Sequence, residues 1–377
     1  MDLSVSLTYR CNSRCSTCHV WQHPTLPAEE IPPAVLARLP GGFGTLVLTG
    51  GEPTLRADLE EVVELLLPKA RHLEISTNGL QADKLARIAA RHPGVRFRIS
   101  LDGFGAKNDV LRGERNGFER KRATLERLFA AGARDVGFAV VGQDENADQL
   151  LGLCDLCRTF GGAFAPAALH NGFQFHKTDN ELANRVRLAR ALQPVAVALL
   201  RSPRPADWFR AHFCLGLMKK ILGQPRAAPC CAGRDFAVLD PWGRVYACPI
   251  RPDLEIGDLA LQSWREIFRG PRAREVRVQV AHCTQNCWLA GHARSAFRRP
   301  RGFRLPRLQP LVWIGANRLR AACGRPVDFD RAVDFADVVR DGAAAARRAS
   351  WLGQPFRPAF QKKTERPYGA YHNAANR

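Results

Sequence analysis

The chain has 377 residues, 46% hydrophobic and 24% charged, which excludes a mainly disordered chain, a collagen-like fibre or a small disulfide scaffold. No uncharged apolar run reaches the roughly 18 residues of a transmembrane helix, and MDLSVSLTYRC lacks the basic start and apolar stretch of a secretory signal, so a cytosolic location is expected. The net charge of +20 favours anionic partners: phosphorylated metabolites, nucleic acid or anionic membrane surfaces.

Over the first 170 residues short strands alternate with helices. Strands are predicted at 3–8, 45–48, 72–76, 95–101, 136–141 and 163–168, mostly rich in Val, Leu, Ile or Phe, as in a parallel sheet covered on both faces. Helices are predicted at 58–70, 82–92, 118–133 and 146–160. The first opens on acidic residues and carries Lys69 near its end, which suits the helix dipole. Six such units form a partial barrel or an open doubly wound sheet, and both gather ligands at the C-terminal strand ends. A linking helix is expected over 179–200, broken near Pro194, followed by a turn-rich boundary at 201–208. A smaller unit then runs from about Cys214 to Arg294. Its segment FAVLD-PWG-RVYAC reads as a hairpin with Pro241 and Gly243 in the turn, and 262–276 reads as helical on both sides of Gly270. Beyond Pro300 there is one apolar cluster and a frayed end.

Twelve cysteines in a reducing compartment point to metal ligation or redox chemistry rather than disulfides. Cys11-Asn-Ser-Arg-Cys15-Ser-Thr-Cys18 directly follows the first strand. Three thiolates on one loop can grip three irons of a [4Fe–4S] cube and leave the fourth without a protein ligand. Zinc usually takes four ligands in two pairs, and no partner pair lies nearby; three buried structural cysteines are the alternative. Further motifs sit at successive strand ends: Thr49-Gly50-Gly51-Glu52-Pro53, Ser76-Thr77-Asn78-Gly79 and Ser100-Leu101-Asp102-Gly103, then Arg112-Gly113 and Gly117-Phe118.

In this order, over about 140 residues, these motifs resemble the radical S-adenosylmethionine (SAM) superfamily. The resemblance implies a partial (β/α)6 TIM-like barrel with a SAM-binding [4Fe–4S] cluster on Cys11, Cys15 and Cys18. It implies that Gly50, Gly51 and Glu52 meet the amino group of SAM, that Asn78 and Ser100 lie near its ribose or methionine part, that Arg112 pairs with its carboxylate, and that Val141 backbone groups pair with adenine. Asp102 alternates with Ser100 and would share the barrel interior on a regular strand. Glycines at 50 and 51 let the backbone approach a ligand closely. For Arg112 a solvated surface position is the alternative. Many members carry an aromatic residue where this chain has Thr17; Trp21 is the candidate for the missing stacking surface. The implied chemistry is reductive cleavage of SAM to a 5′-deoxyadenosyl radical, which abstracts hydrogen from a substrate. The electron comes from a flavodoxin- or ferredoxin-type donor.

A second cysteine set, Cys230-Cys231-Ala-Gly233, Cys248 and Cys283-Thr-Gln-Asn-Cys287, resembles the twitch domain, the shorter relative of the SPASM extension. The resemblance implies one auxiliary [4Fe–4S] cluster on Cys231, Cys248, Cys283 and Cys287, closed to substrate and suited to electron transfer. A structural zinc at the same residues stays open. Cys214 and Cys230 are spare. Either could replace Cys231, leave an open iron, or donate a hydrogen atom to a substrate radical, which makes them the catalytic candidates; inert burial is the alternative. Cys154 and Cys157, three apart on a helix with Leu150, Leu151 and Leu153, read as core packing. Cys323 reads as structural.

From Phe297 to Arg377 there are 17 Lys and Arg against 6 Asp and Glu, including Arg298, Arg299, Arg301, Arg304, Arg307, Arg318 and Arg320. This basic tail is a solvated face or an anion site. No nucleic-acid module is evident, and the terminal Gly-Gly of molybdenum-cofactor cyclase relatives is absent. The expected organisation is a barrel (1–178), a linking helix (179–212), a twitch-like domain (213–295) and a basic helical extension (296–377). The expected reaction is hydrogen abstraction, for oxidation or epimerisation, from a small anionic substrate. A peptide maturase competes with it, and a non-catalytic iron–sulfur scaffold or electron carrier is the alternative from another class.

Overall fold

The six predicted strands all form. They are β1 (Asp2–Ser6), β2 (Phe43–Thr49), β3 (Ala70–Thr77), β4 (Arg96–Ser100), β5 (Asp135–Gly142) and β6 (Ala163–Ala168), paired parallel in chain order. The structure is a computed structural model and describes residues 1–291, 293–294 and 309–336. Leu3, Val5, Leu46, Leu48, Ile75, Phe97, Ile99 and Phe138 are buried in one continuous core. This agrees with strands covered on both faces and with the partial-barrel expectation.

Helices fill the crossovers. α1 (Pro33–Leu36) and α2 (Leu59–Leu66) pack together after β1 and β2; α3 (Ala82–Arg91) buries Leu85, Ile88 and Ala89, one face at helical spacing. α4 (Ala106–Arg112), which sequence reasoning missed, and α5 (Gly117–Ala130) join β4 to β5; α6 (Leu150–Thr159) joins β5 to β6. Cys154 and Cys157 lie fully buried on α6, as packing residues.

Two expectations about the middle of the chain differ from the structure. α7 (Arg185–Leu200) runs through Pro194 without ending. The carbonyl deprived of its partner belongs to Arg190, an exposed position where water can serve it, while Leu192, Val195 and Ala196 hold the helix to the core. The supposed boundary near 201–208 opens α8 (Pro205–Ile221), which packs along α7 and β6 and crosses the expected division at 212/213. Its start is fixed by Pro at the first turn and by Asp207, which accepts from Ser202 and Arg204.

The predicted hairpin forms as β7 (Phe236–Leu239) and β8 (Arg244–Tyr246), followed by an unpredicted β9 (Glu255–Asp258). β7 pairs parallel with β1, so the hairpin continues the barrel sheet at its first edge. α9 (Trp264–Arg269) and α10 (Pro271–Ala281) flank Gly270 as expected. A further helix, Gln309–Ala322, packs on α8, where Arg318 lies 3.6 Å over the Trp208 ring. Arg298, Arg299, Arg301, Arg304 and Arg307 lie outside the described residues. Cys323, expected to be structural, is exposed just past this helix.

Asp240 closes the β7–β8 turn, accepting from the backbone N–H of Trp242 and Arg244. Burial pushes its pKa up to about 7, against those two bonds and the nearby Arg244 charge. A raised carboxyl pKa means the folded state holds the proton more tightly. The contribution is therefore complete below the unfolded value near 4 and is lost as pH rises through about 7. Asp240→Asn keeps the acceptor and removes the titration. Its melting temperature relative to wild type should rise between pH 5 and pH 8; a difference independent of pH would show that Asp240 does not titrate there.

Candidate functional site

The cysteine loop leaves β1 between two anchors. Arg10 forks onto Glu30, with both N–H···O distances 2.9 Å, and the Gly51 and Glu52 N–H groups donate to Thr8 O and Arg10 O at 2.7 and 2.8 Å. A Cβ on Gly51 would stand 2.2 Å from Arg10 O, and one on Gly50, at φ 136°, would stand 2.2 Å from Thr8 O. The glycines thus serve the close approach of the second strand end to the start of the cysteine loop. Gly51→Ala should cost about 2–3 kcal/mol in chemical denaturation through overpacking and displace the loop. Gly41→Ala, which meets nothing within 4 Å, should stay within about 0.5 kcal/mol.

The other motifs converge on the same loop. Glu52 is fully buried. Its Oε1 accepts from Thr54 N, Thr54 Oγ1 and Thr77 Oγ1 at 2.7–3.0 Å, and its Oε2 accepts from Asn78 N at 2.6 Å. Burial raises its pKa against these donors. Oε2 retains a lone pair beyond the Asn78 bond. Asn78 Nδ2 reaches Asn12 Oδ1 and Ser13 Oγ, and Ser13 Oγ donates to Glu114 Oε1 at 2.6 Å. Glu114 in turn pairs with Arg112 at 3.4 Å and Lys121 at 2.5 Å. A chain of polar contacts therefore runs from the Gly-Gly-Glu motif, through the cysteine loop, to the Arg-Gly motif.

Arg112 Nη1 donates to Asp102 Oδ2 at 2.7 Å, and Asp102 Oδ1 accepts from Val141 N at 2.8 Å. Burial opposes the Arg112 charge, but Cys15, Asp102 and Glu114 together raise its pKa. Its Nη2 has no protein partner among the described residues. Arg112 is therefore no solvated surface residue. Val141 has no free N–H to offer a base, and its carbonyl already accepts from Asn146 at 2.9 Å. Ser100 is half-buried, and its hydroxyl makes no hydrogen bond within the described residues. Sequence reasoning missed Glu114 and Lys121. The signal was available for Lys121, which shares the buried face of α5 with Leu125 and Leu128 at helical spacing.

Cys11, Cys15 and Cys18 are half-buried. Burial pushes the Cys11 thiol up to about 12 and Cys18 to about 11, and raises Cys15 as well; each of Cys11 and Cys18 also feels the charge of Cys15. The backbone N–H two residues on, from Ser13 and Val20, points back at Cys11 and Cys18. Among the described residues no three His, Cys, Asp or Glu side chains converge as around a single ion. A four-iron cube spreads its sulfurs over several corners, and buried thiols backed by N–H donors suit such a cationic core. The donor set therefore fits a cluster. Trp21, the stacking candidate, has the Arg14 guanidinium 5.7 Å from its ring centroid and a buried indole N–H without an acceptor.

Within the second set the cysteines have different surroundings. Cys230, Cys248, Cys283 and Cys287 act on one another: Cys230 and Cys287 raise Cys248, while Cys230 and Cys283 raise Cys287, each after the larger effect of burial. Ile250 N–H donates to Cys248 Sγ at 3.4 Å, and Ala232 N–H points at Cys230. Arg226 lies beside this group, donating to Cys283 O at 2.7 Å, with its Nη1 buried and unpartnered. Cys231 packs instead in an apolar cluster with Phe173, Phe236, Val238 and Tyr246. Cys214 is fully buried near Cys154, away from both cysteine groups, and burial drives its thiol pKa up. That position suits packing.

His170 and Lys220 lie close together on the side of Cys287. Burial and the Lys220 charge push His170 down to about 3, so its imidazole is neutral; burial pulls Lys220 down to about 8.

Comparison with known proteins places this arrangement. Residues 5–157 match the family model of the radical SAM superfamily, and residues 230–288 match that of an iron–sulfur cluster-binding domain. The pre-heme d1 synthase of Dinoroseobacter shibae is 30% identical over 77% of this chain and 80% of its own length. Mycofactocin maturase MftC of Mycolicibacterium smegmatis is 30% identical over 66% of this chain, which spans 64% of that relative, just under two thirds. Among solved structures, Streptococcus suis SuiB bound to precursor peptide SuiA superposes with a TM-score of 0.53 at 16% identity, over 73% of this chain and 66% of SuiB, a likeness of fold.

Proposed function

The chain belongs to the radical SAM superfamily, and on that premise we propose that it abstracts hydrogen from a carbon of a small anionic substrate. It is an enzyme that uses a SAM-binding [4Fe–4S] cluster and carries an auxiliary iron–sulfur centre. Cys11, Cys15 and Cys18 would hold the first cluster. Cys230, Cys248, Cys283 and Cys287 would hold the second, with Cys230 in the place expected for Cys231. When bound, these groups supply one-electron chemistry at a substrate C–H bond.

This chain's residues position the reactants. Glu52 Oε2 can accept a bond from the SAM ammonium, and Ser100 offers a free hydroxyl. Arg112, held by Asp102 and Glu114, keeps Nη2 for a carboxylate. Asp102 and Asn78 act as supports: one fixes Arg112 and the β5 backbone, the other fixes the cysteine loop. The observation that carries the reading is the polar chain that joins Glu52, Asn78, Arg112 and Asp102 to that loop. No described helix is long and apolar enough to cross a membrane. Twelve free cysteines favour a reducing cytoplasm, where a flavodoxin- or ferredoxin-type donor would supply the electron.

A second reading is a peptide substrate, favoured by the likeness of fold to SuiB bound to its precursor peptide. Anaerobic reconstitution with SAM and dithionite should yield 5′-deoxyadenosine. Well-formed clusters without that product would favour a scaffold or electron carrier.

A further inference from the structure

A cavity of about 440 Å³ lies where the C-terminal end of β6 meets the ends of α7 and α8 and the auxiliary cysteine loops. That size suits a small ligand. His170, Lys220, Ile250 and Cys287 all line it. Asn180, also on the wall, donates to Thr17 O at 3.1 Å and His170 O at 3.3 Å, tying the cavity to the loop of Cys15 and Cys18. Asn286 donates to Lys220 O at 3.1 Å, tying the other side to Cys287. The cavity thus abuts Cys287 and is tied through Asn180 to the loop of Cys15 and Cys18.

Its polar groups are of particular kinds. Lys220 Nζ donates to Ala168 O at 3.0 Å and Leu169 O at 3.3 Å, and no described carboxylate pairs with it. An ammonium carries three donors, so one is left over. Arg251 is answered by Asp253 at 2.5 Å. Glu181 is the acidic group on the wall, and it is exposed. His170 Nδ1 lies 3.1 Å from Ala168 O. A carbonyl only accepts, so Nδ1 carries the hydrogen and Nε2 keeps its lone pair. Leu169, Ile221 and Ile250 supply apolar surface.

We propose that this cavity seats the substrate, that Lys220 Nζ binds a carboxylate or phosphate group of it, and that His170 Nε2 accepts from a neighbouring hydroxyl or amine. The proposal rests on the hydrogen-abstraction reading above and names the substrate class: a small apolar-bodied molecule with one oxyanion and an adjacent donor.

The test is titration calorimetry of the reconstituted holoenzyme, unreduced, with inorganic phosphate and separately with succinate. At least one anion should bind. Lys220→Met should weaken it tenfold or more, and Lys220→Arg should restore most of the affinity. Glu181→Gln should tighten binding about threefold, a gain that a misfolded protein cannot show. Iron content checks that each variant keeps its clusters. Phosphate alone assigns a phosphate substrate, and succinate alone a carboxylate. Failure of both anions to bind wild type, or binding unaltered in Lys220→Met, overturns the proposal. Neither result touches 5′-deoxyadenosine formation, so the two readings fail separately.

Discussion

Replacing Cys11, Cys15 and Cys18 together by alanine is expected to abolish 5′-deoxyadenosine formation, a fall of at least about a thousandfold. Iron should drop from about eight to about four per chain, since each cube contributes four. The fold should survive, because the loop is held by contacts that do not use sulfur. Arg10 grips Glu30, Ser13 donates to Glu114, and Arg14 N and Ser16 N donate to the carbonyls of Arg112 and Leu111. The three thiols are half-buried, and burial already disfavours their charged form, so their removal takes away no favourable charge in the metal-free chain. Retained turnover with unchanged iron would remove the basis for assigning the first cluster to this loop. Loss of all iron would mean that the two centres assemble together.

Much of this was legible because local pattern and global fold agree. Most strands of the parallel sheet carry short stretches of apolar residues, and the cysteine loop and the motifs of Gly50, Asn78 and Asp102 fall at strand ends, so order along the chain predicts convergence in space. What was not legible depended on contacts between distant segments. β7 has nothing in its own sequence to say that it pairs with β1. Pro194 breaks most helices, but here the flanking apolar residues outweigh it and the orphaned carbonyl belongs to an exposed residue. Gly50 and Gly51 read from the sequence as room for a ligand, whereas the backbone they admit is that of Thr8 and Arg10. Val141 was assigned to adenine from resemblance, whereas Asp102 takes its N–H, a pairing across 39 positions that no spacing reveals. For Lys121 the helical period placed it inward, but only the buried Glu114 explains how its charge is tolerated there.

The sharpest case is the choice between adjacent cysteines. Cys230→Ala is expected to lower iron from about eight to about four per chain, while Cys231→Ala should leave it near eight. Cys230 and Cys231 are adjacent, yet the structure gives them different surroundings. Cys230 is the one whose charge acts on Cys248 and Cys287 and which has Arg226 beside it. Cys231 shares a buried apolar cluster with Phe173 and Tyr246, whose rings lie 4.9 Å apart, and turning its sulfur toward the other cysteines would disturb that packing. Its removal should therefore cost about 1 kcal/mol of packing without loss of iron. Measured iron, sulfide and the absorption of the oxidised clusters decide the matter. The reverse pattern, with iron lost from Cys231→Ala and kept in Cys230→Ala, would restore Cys231 as the ligand. It would also leave Arg226, with its buried unpartnered Nη1, facing a free thiol instead of a cluster sulfur.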